Sequence, residues 1–196
     1  FRDESHLNYS GAKKATSYMG QYLMENYDLP DKRGTDNSWN TAVARSEGQL
    51  QKEKLQSCDN ITEYFKILED SPFLYVITAN GETAELAEKI DGTLEQIGIS
   101  REKLENGGSW IMKNGVLETE LLQPEYQYHE DLGAFTLTLS AVGGSEDSGP
   151  DITVALRRND YFNIEQGIHV LVYDQDKDEP VDCVGFDLDQ EGKGAR

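Results

Sequence analysis

Basic clusters, long apolar runs and cysteine are scarce in this sequence, and each shortage excludes something. Its 18 Lys and Arg stand against 37 Asp and Glu, giving a net charge of −19. Phosphate backbones are gripped by clustered Lys and Arg, and no such cluster occurs, so nucleic-acid binding is not expected. Adsorption to an anionic membrane surface is disfavoured for the same reason. No apolar run approaches the roughly 20 residues that cross a bilayer as a helix. The longest, FLYVITA (73–79) and IHVLVYD (168–174), have strand length. Two cysteines, Cys58 and Cys183, make no disulfide framework, and free thiols are expected. The chain does not open on Met, which suggests an expressed or processed piece of a longer product.

What is present describes a globular chain. Apolar residues make up 37% of it, enough for a core. The acidity is read as a device for solubility. Affinity for polycations, or for cations at a wall surface, is the alternative.

A helix is predicted over 10–27, with Ser10 as N-cap and one stripe of Ala12, Ala15, Tyr18/Met19, Tyr22/Leu23 and Tyr27. That stripe is expected to be docked, on the following domain, on Trp39 or on a neighbouring chain. Residues 28–47 are rich in turn formers and charge and are predicted as linker, followed by a polar helix over 48–57. Asn60 and Glu63 have capping-box spacing ahead of a short helix carrying Ile61, Tyr64/Phe65 and Leu68. FLYVITA is predicted as a central strand. A second amphipathic helix over 82–97 places Leu86, Ile90, Leu94 and Ile97 on one face. Only strands are expected after it. SWIMK and VLETEL flank Asn114-Gly115, a hairpin turn signal, and AFTLTLSAV, DITVAL, IHVLVYD and PVDCVGF follow. The order implies an α+β fold with antiparallel sheets.

Two stretches invite a chemical reading. Asp3 stands three residues before His6, a spacing that lets a carboxylate orient an imidazole for general-base work. Asp174, Asp176 and Asp178 imitate the first half of a calcium loop. However, Glu179 replaces the glycine expected sixth and Gly185 the glutamate expected twelfth, so a solvated hairpin tip is expected instead. No metal or cofactor is expected.

The stretch DESHLNYSGAKK resembles the last block of the SGNH hydrolase/acyltransferase family, and residues 1–33 resemble the tail of such bacterial surface proteins. The resemblance implies that Asp3 and His6 are acid and base of a Ser-His-Asp triad. The Gly-Asp-Ser nucleophile block is absent, and Ser38 in TDNSWN lacks a strand before it and a helix after it. The fragment is therefore expected to be inactive as an ester hydrolase. If Tyr18, Tyr22 and Leu23 all proved exposed on an ordered helix with no chain covering them, the docking argument and the assignment of 1–33 to a lost catalytic domain would both fall.

GGSWIMKNG followed by GIHVLVYD and PVDCVGFD is similar to the interleukin-like epithelial–mesenchymal-transition inducer (ILEI-like) domain of FAM-three-type cytokine-like proteins and of a glycosyltransferase stem. Leu188 stands where that domain has Thr. The resemblance covers 59–190 and implies two antiparallel sheets with flanking helices. The implied organisation is a catalytic tail (1–33), linker and polar helix (34–58), inducer-like domain (59–190) and tail (191–196).

The leading expectation is an accessory, glycan-binding module at a bacterial cell surface, serving polysaccharide acyl modification. Trp110, Tyr126, Tyr128, His129 and Tyr161 are its candidate sugar contacts, because sugars stack on aromatic faces beside planar polar groups. Expected partners are wall or capsular polysaccharide and an upstream SGNH-like domain of the same polypeptide. The alternatives are a fragment of an SGNH-type O-acyltransferase or esterase, and a protein-interaction or structural module without a ligand.

Overall fold

The computed structural model describes residues 7–29, 37–69, 71–122, 124–143, 151–156, 159–164, 166–187 and 193–196; side chains are described for these except at 37, 151 and 159–164. The chain divides into two compact units, Phe1–Lys54 and Leu55–Arg196.

The first unit holds α1 (Tyr9–Asn26) and most of α2 (Asn37–Ser57). Asn8, not Ser10, caps α1: its side-chain oxygen accepts from the N–H of Gly11 at 2.9 Å. Ser10 lies inside the first turn and is bound by Glu53 of α2. The Glu53 carboxylate accepts from the N–H of Tyr9 at 2.7 Å, and from the N–H and hydroxyl of Ser10 at 3.0 Å each. Desolvation opposes its charge, but the Ser10 and Tyr9 N–H groups prevail and hold the carboxyl below its usual range. Tyr9 also hydrogen-bonds Ser46 through its hydroxyl. The helix that the sequence placed after a linker ending at residue 47 already begins at Asn37. Residues 37–47 are helical because Ala42, Ala44, Arg45 and Glu47 favour a helix and no glycine or proline interrupts them before Gly48.

The second unit is an α+β fold in three layers. Helices α3 (Ile61–Glu69), α4 (Ala84–Gln96) and α5 (Arg101–Asn106) cover one face of a six-stranded sheet, and a four-stranded sheet covers the other. The larger sheet comprises β1 (Leu74–Asn80), β2 (Gly108–Lys113), β3 (Val116–Leu122), β8 (Gly167–Asp174), β9 (Glu179–Phe186) and β10 (Gly194–Ala195), in the order β10-β9-β8-β1-β2-β3. The smaller comprises β4 (Tyr126–Asp131), β5 (Thr136–Val142), β6 (Asp151–Leu156) and β7 (Asn159–Ile164), in chain order. All neighbouring strands are antiparallel.

Strand periodicity explains the two cores. Tyr75, Ile77 and Ala79 of β1 face the helices and share a core with Phe65 of α3, Ile90 of α4 and Trp110 of β2. Leu74 and Val76 point the other way, into the core shared with Leu137, Leu139 and Val154 of the smaller sheet. β1 is buried along its whole length, as expected of a central strand. Ile61, Tyr64, Phe65 and Leu68 of α3 are buried, as are Leu86, Ile90, Leu94 and Ile97 along α4. Asn60 caps α3 by accepting from the N–H of Glu63 at 3.0 Å. Asn114 and Gly115, both with positive φ, turn β2 into β3. Gly167 (φ 106°) opens β8 where a Cβ would sit 2.2 Å from the Phe186 carbonyl oxygen. Cys58 belongs to the helix-side core and Cys183 packs against the inter-sheet core, so the thiols face different layers and both are free.

Candidate functional site

The residues proposed from sequence do not converge. Asp3 and His6 lie outside the described residues, as does the side chain of Tyr161 on β7. Trp110 is fully buried beneath the helices, so its ring offers no face to a sugar, and that expectation is corrected. Its indole N–H donates to Glu120 Oε1 at 2.9 Å. Lys103, 2.8 Å from the same carboxylate, and the indole N–H keep Glu120 ionised below the usual range.

Tyr126 and Tyr128 face the opposite side, where they join the two sheets. Both are half-buried against the inter-sheet core. The Tyr126 hydroxyl lies 2.8 Å from Ser109 Oγ, which lies 2.9 Å from Thr78 Oγ1. Tyr128 donates to Glu130 Oε2 at 2.8 Å and bonds Thr119, while Lys113 Nζ reaches Glu130 Oε1 at 2.6 Å. These contacts tie β4 to β2 and β3. His129 is on the outer face of β4, exposed, with Nδ1 3.1 Å from Thr138 Oγ1 on the next strand.

The acidic turn after β8 is a hairpin turn, but two of its carboxylates are used internally rather than solvated. Asp174 Oδ1 accepts from the N–H groups of Asp176 and Lys177 at 3.0 and 3.1 Å. Asp178 accepts from the N–H of Ala134 and from the Tyr173 hydroxyl. No metal-binding cluster of His, Cys, Asp and Glu occurs among the described residues.

Two constellations were not read from sequence. Strand register sets Ser109, Thr78 and His169 in a row across β2, β1 and β8. The His169 ring lies over Gly185, where a Cβ would fall 2.6 Å from the imidazole. It borders a cavity of about 200 Å³ with Phe186, Asp187 and Arg196. Burial lowers the His169 pKa against the Gln166 carbonyl and Asp187, favouring a neutral ring. The cavity is smaller than the few hundred Å³ usual for ligand pockets, and Phe186, fully buried, presents no stacking face there. The second constellation is a latch. Arg196 Nε and Nη2 bind Asp182 at 2.9 and 3.0 Å, and Nη2 also reaches the carbonyls of Leu55 and Cys58. Tyr64 donates to the same carboxylate at 3.0 Å.

Among the described residues, α1 carries a run of exposed large apolar side chains. Tyr18 is 78% exposed, Met19 63%, Tyr22 53%, Leu23 37% and Tyr27 57%, and α1 buries no residue. Among the described residues of the first unit, none covers this stripe. Trp39, one of its expected covers, is itself exposed. Ser38 stands in the first turn of α2, so the helix denied to it is present.

The fold defines an α+β protein of helices on a two-sheet sandwich. No protein family, curated protein or solved structure matches the chain, so its own residues carry the functional reading.

Proposed function

We propose that the chain is an accessory module that works by protein contact, with α1 as its contact face. One observation carries this reading: a helix with an apolar stripe of Tyr18, Met19, Tyr22 and Leu23 that stays exposed, with Tyr27 just beyond its end exposed as well. An isolated helix of this length is marginal in water, so a stripe of this size has a function only when a partner covers it. Aromatic and Met side chains at helical spacing suit a groove on another protein. The glycan reading is less supported, because Trp110 is core and Tyr126 and Tyr128 are committed to joining the sheets. Placement at a bacterial cell surface, alongside a polysaccharide-modifying enzyme, rests on the family resemblances.

A photo-reactive phenylalanine at Tyr22 tests the reading in cells that make the protein. A discrete crosslinked product that disappears with Leu23→Glu is expected. Absence of any product, together with binding of wall polysaccharide at millimolar sugar, would restore the glycan reading.

A further inference from the structure

We infer that the occupant of the α1 stripe is the same stripe on a second copy of this chain, packed antiparallel. This rests on the reading of α1 as a contact face.

The charge distribution selects this occupant. Residues 1–54 carry eight basic and eight acidic side chains. The whole net charge of −19 therefore lies in residues 55–196, on 10 basic and 29 acidic side chains. Two copies repel each other wherever the second unit faces its counterpart. Only the neutral unit lets them approach, and it carries the exposed stripe.

The charges along α1 select the orientation. Lys13 and Lys14 lie near its N-terminal end, while Glu25 and Asp28 lie at and just beyond its C-terminal end, all exposed. An antiparallel pair centred near Gly20 brings Lys14 of each copy within about a turn of the other's Glu25 on one flank of the stripe, while Lys13 lies beside Leu50 of α2 and adds only to the charge of that end. It also sets Tyr18 and Met19 against Tyr22 and Leu23 of the second copy. A parallel pair would place lysine on lysine and carboxylate on carboxylate. The Glu53 clamp on Tyr9 and Ser10 fixes the first turn of α1 to α2 without using the stripe.

Sedimentation velocity on the full chain tests the inference. At roughly 100 μM, where a complex of micromolar Kd is filled, a dimer is expected. Leu23→Glu, at an exposed position that leaves the cores intact, is expected to return it to monomer. Two charge variants test the orientation. Lys13→Glu with Lys14→Glu makes the helix wholly acidic, and Glu25→Lys with Asp28→Lys makes it wholly basic. Each is expected to be monomeric alone, and an equimolar mixture to form a mixed dimer. A monomeric wild-type chain, or a dimer indifferent to Leu23→Glu, overturns the inference. If the wild type is monomeric while the Tyr22 crosslinker captures a different protein in cells, self-pairing alone is lost. If it captures nothing, the contact reading is lost as well.

Discussion

Arg196 is the side chain on which the most distant segments depend. It neutralises Asp182, whose side chain is 4% exposed, and satisfies the Leu55 and Cys58 carbonyls. Removing one partner of a buried pair leaves the other uncompensated, at a cost of about 3–5 kcal/mol when burial is complete. Arg196 is 31% exposed, so Arg196→Ala is expected to destabilise by about 2 kcal/mol. Adding Asp182→Asn should recover part of the loss, because a neutral amide is cheaper to bury alone. Urea melts of the two variants check this, and equal stability of wild type and Arg196→Ala would remove the latch. Tyr75 shows the reverse case. Its hydroxyl is buried without a hydrogen-bond partner among the described residues, and burial, with the Glu69 charge, pushes its pKa up to about 12. Tyr75→Phe removes a polar atom that folding must desolvate, so it is expected to be neutral or stabilising by up to about 1 kcal/mol. His169 adds a pH dependence. Burial depresses its pKa below the ordinary 6.5, so under that pH the unfolded chain takes up a proton the folded chain refuses. Its contribution is present above 6.5 and is lost as pH falls through the lower folded value. Asp187 and Arg196 border the same cavity and set the residual charge there. His169→Gln should flatten the fall in Tm between about pH 7 and about pH 5, and an unchanged slope would count against this account.

Element by element, α1 is held at its start and little constrained beyond it. Gly20 sits in its interior, and a Cβ there would meet nothing within 4 Å. Gly20→Ala is expected to stabilise the helix by about 0.5–1 kcal/mol. Slower hydrogen exchange across Tyr18–Leu23 would report it, with the core amides unaffected. Elements with a strong local signature were legible in the sequence. α3 and α4 announced themselves by period, β1 by its continuous apolar run, and the β2–β3 hairpin by Asn114-Gly115. What escaped had no local signature. α5 has six residues and one buried side chain, Leu104, too few for a period to show. β4 reads YQYHED, whose inward Tyr126 and Tyr128 alternate with polar residues on an edge strand, too weak an apolar pattern to mark a strand. The row of Ser109, Thr78 and His169 exists only through the pairing of three strands distant in sequence, and no spacing along the chain encodes it. Trp110 is a related case: its aromatic ring suits a sugar face, whereas the register places it in the helix-side core.

At the scale of the whole molecule, stability and contact are separable. Both buried cores consist of residues from Leu55 onward, and α1 adds no buried side chain to either. A chain of residues 55–196 is therefore expected to fold by itself, with a cooperative thermal transition close to that of the full chain. Its ends matter more than their length suggests. Leu55 is fully buried, the Gly194 N–H donates to the Asp59 carbonyl at 2.6 Å, and Lys193 pairs with Asn60. A chain cut to residues 59–190 loses Leu55, β10 and the Arg196 latch together. Losing a buried Leu alone costs about 2–5 kcal/mol. The shorter chain is thus expected to melt well below the longer one, or to lose cooperativity. Calorimetry on the two chains decides between this and a core confined to 59–190. If both melt together, the C-terminal strand and its arginine are ornaments of the fold. If only the 55–196 chain keeps its transition, the end of α2 and the last strand close the helix-side core from outside the sheet's centre. The 55–196 chain also lacks α1 and, on the reading given above, should remain monomeric at concentrations where the full chain pairs.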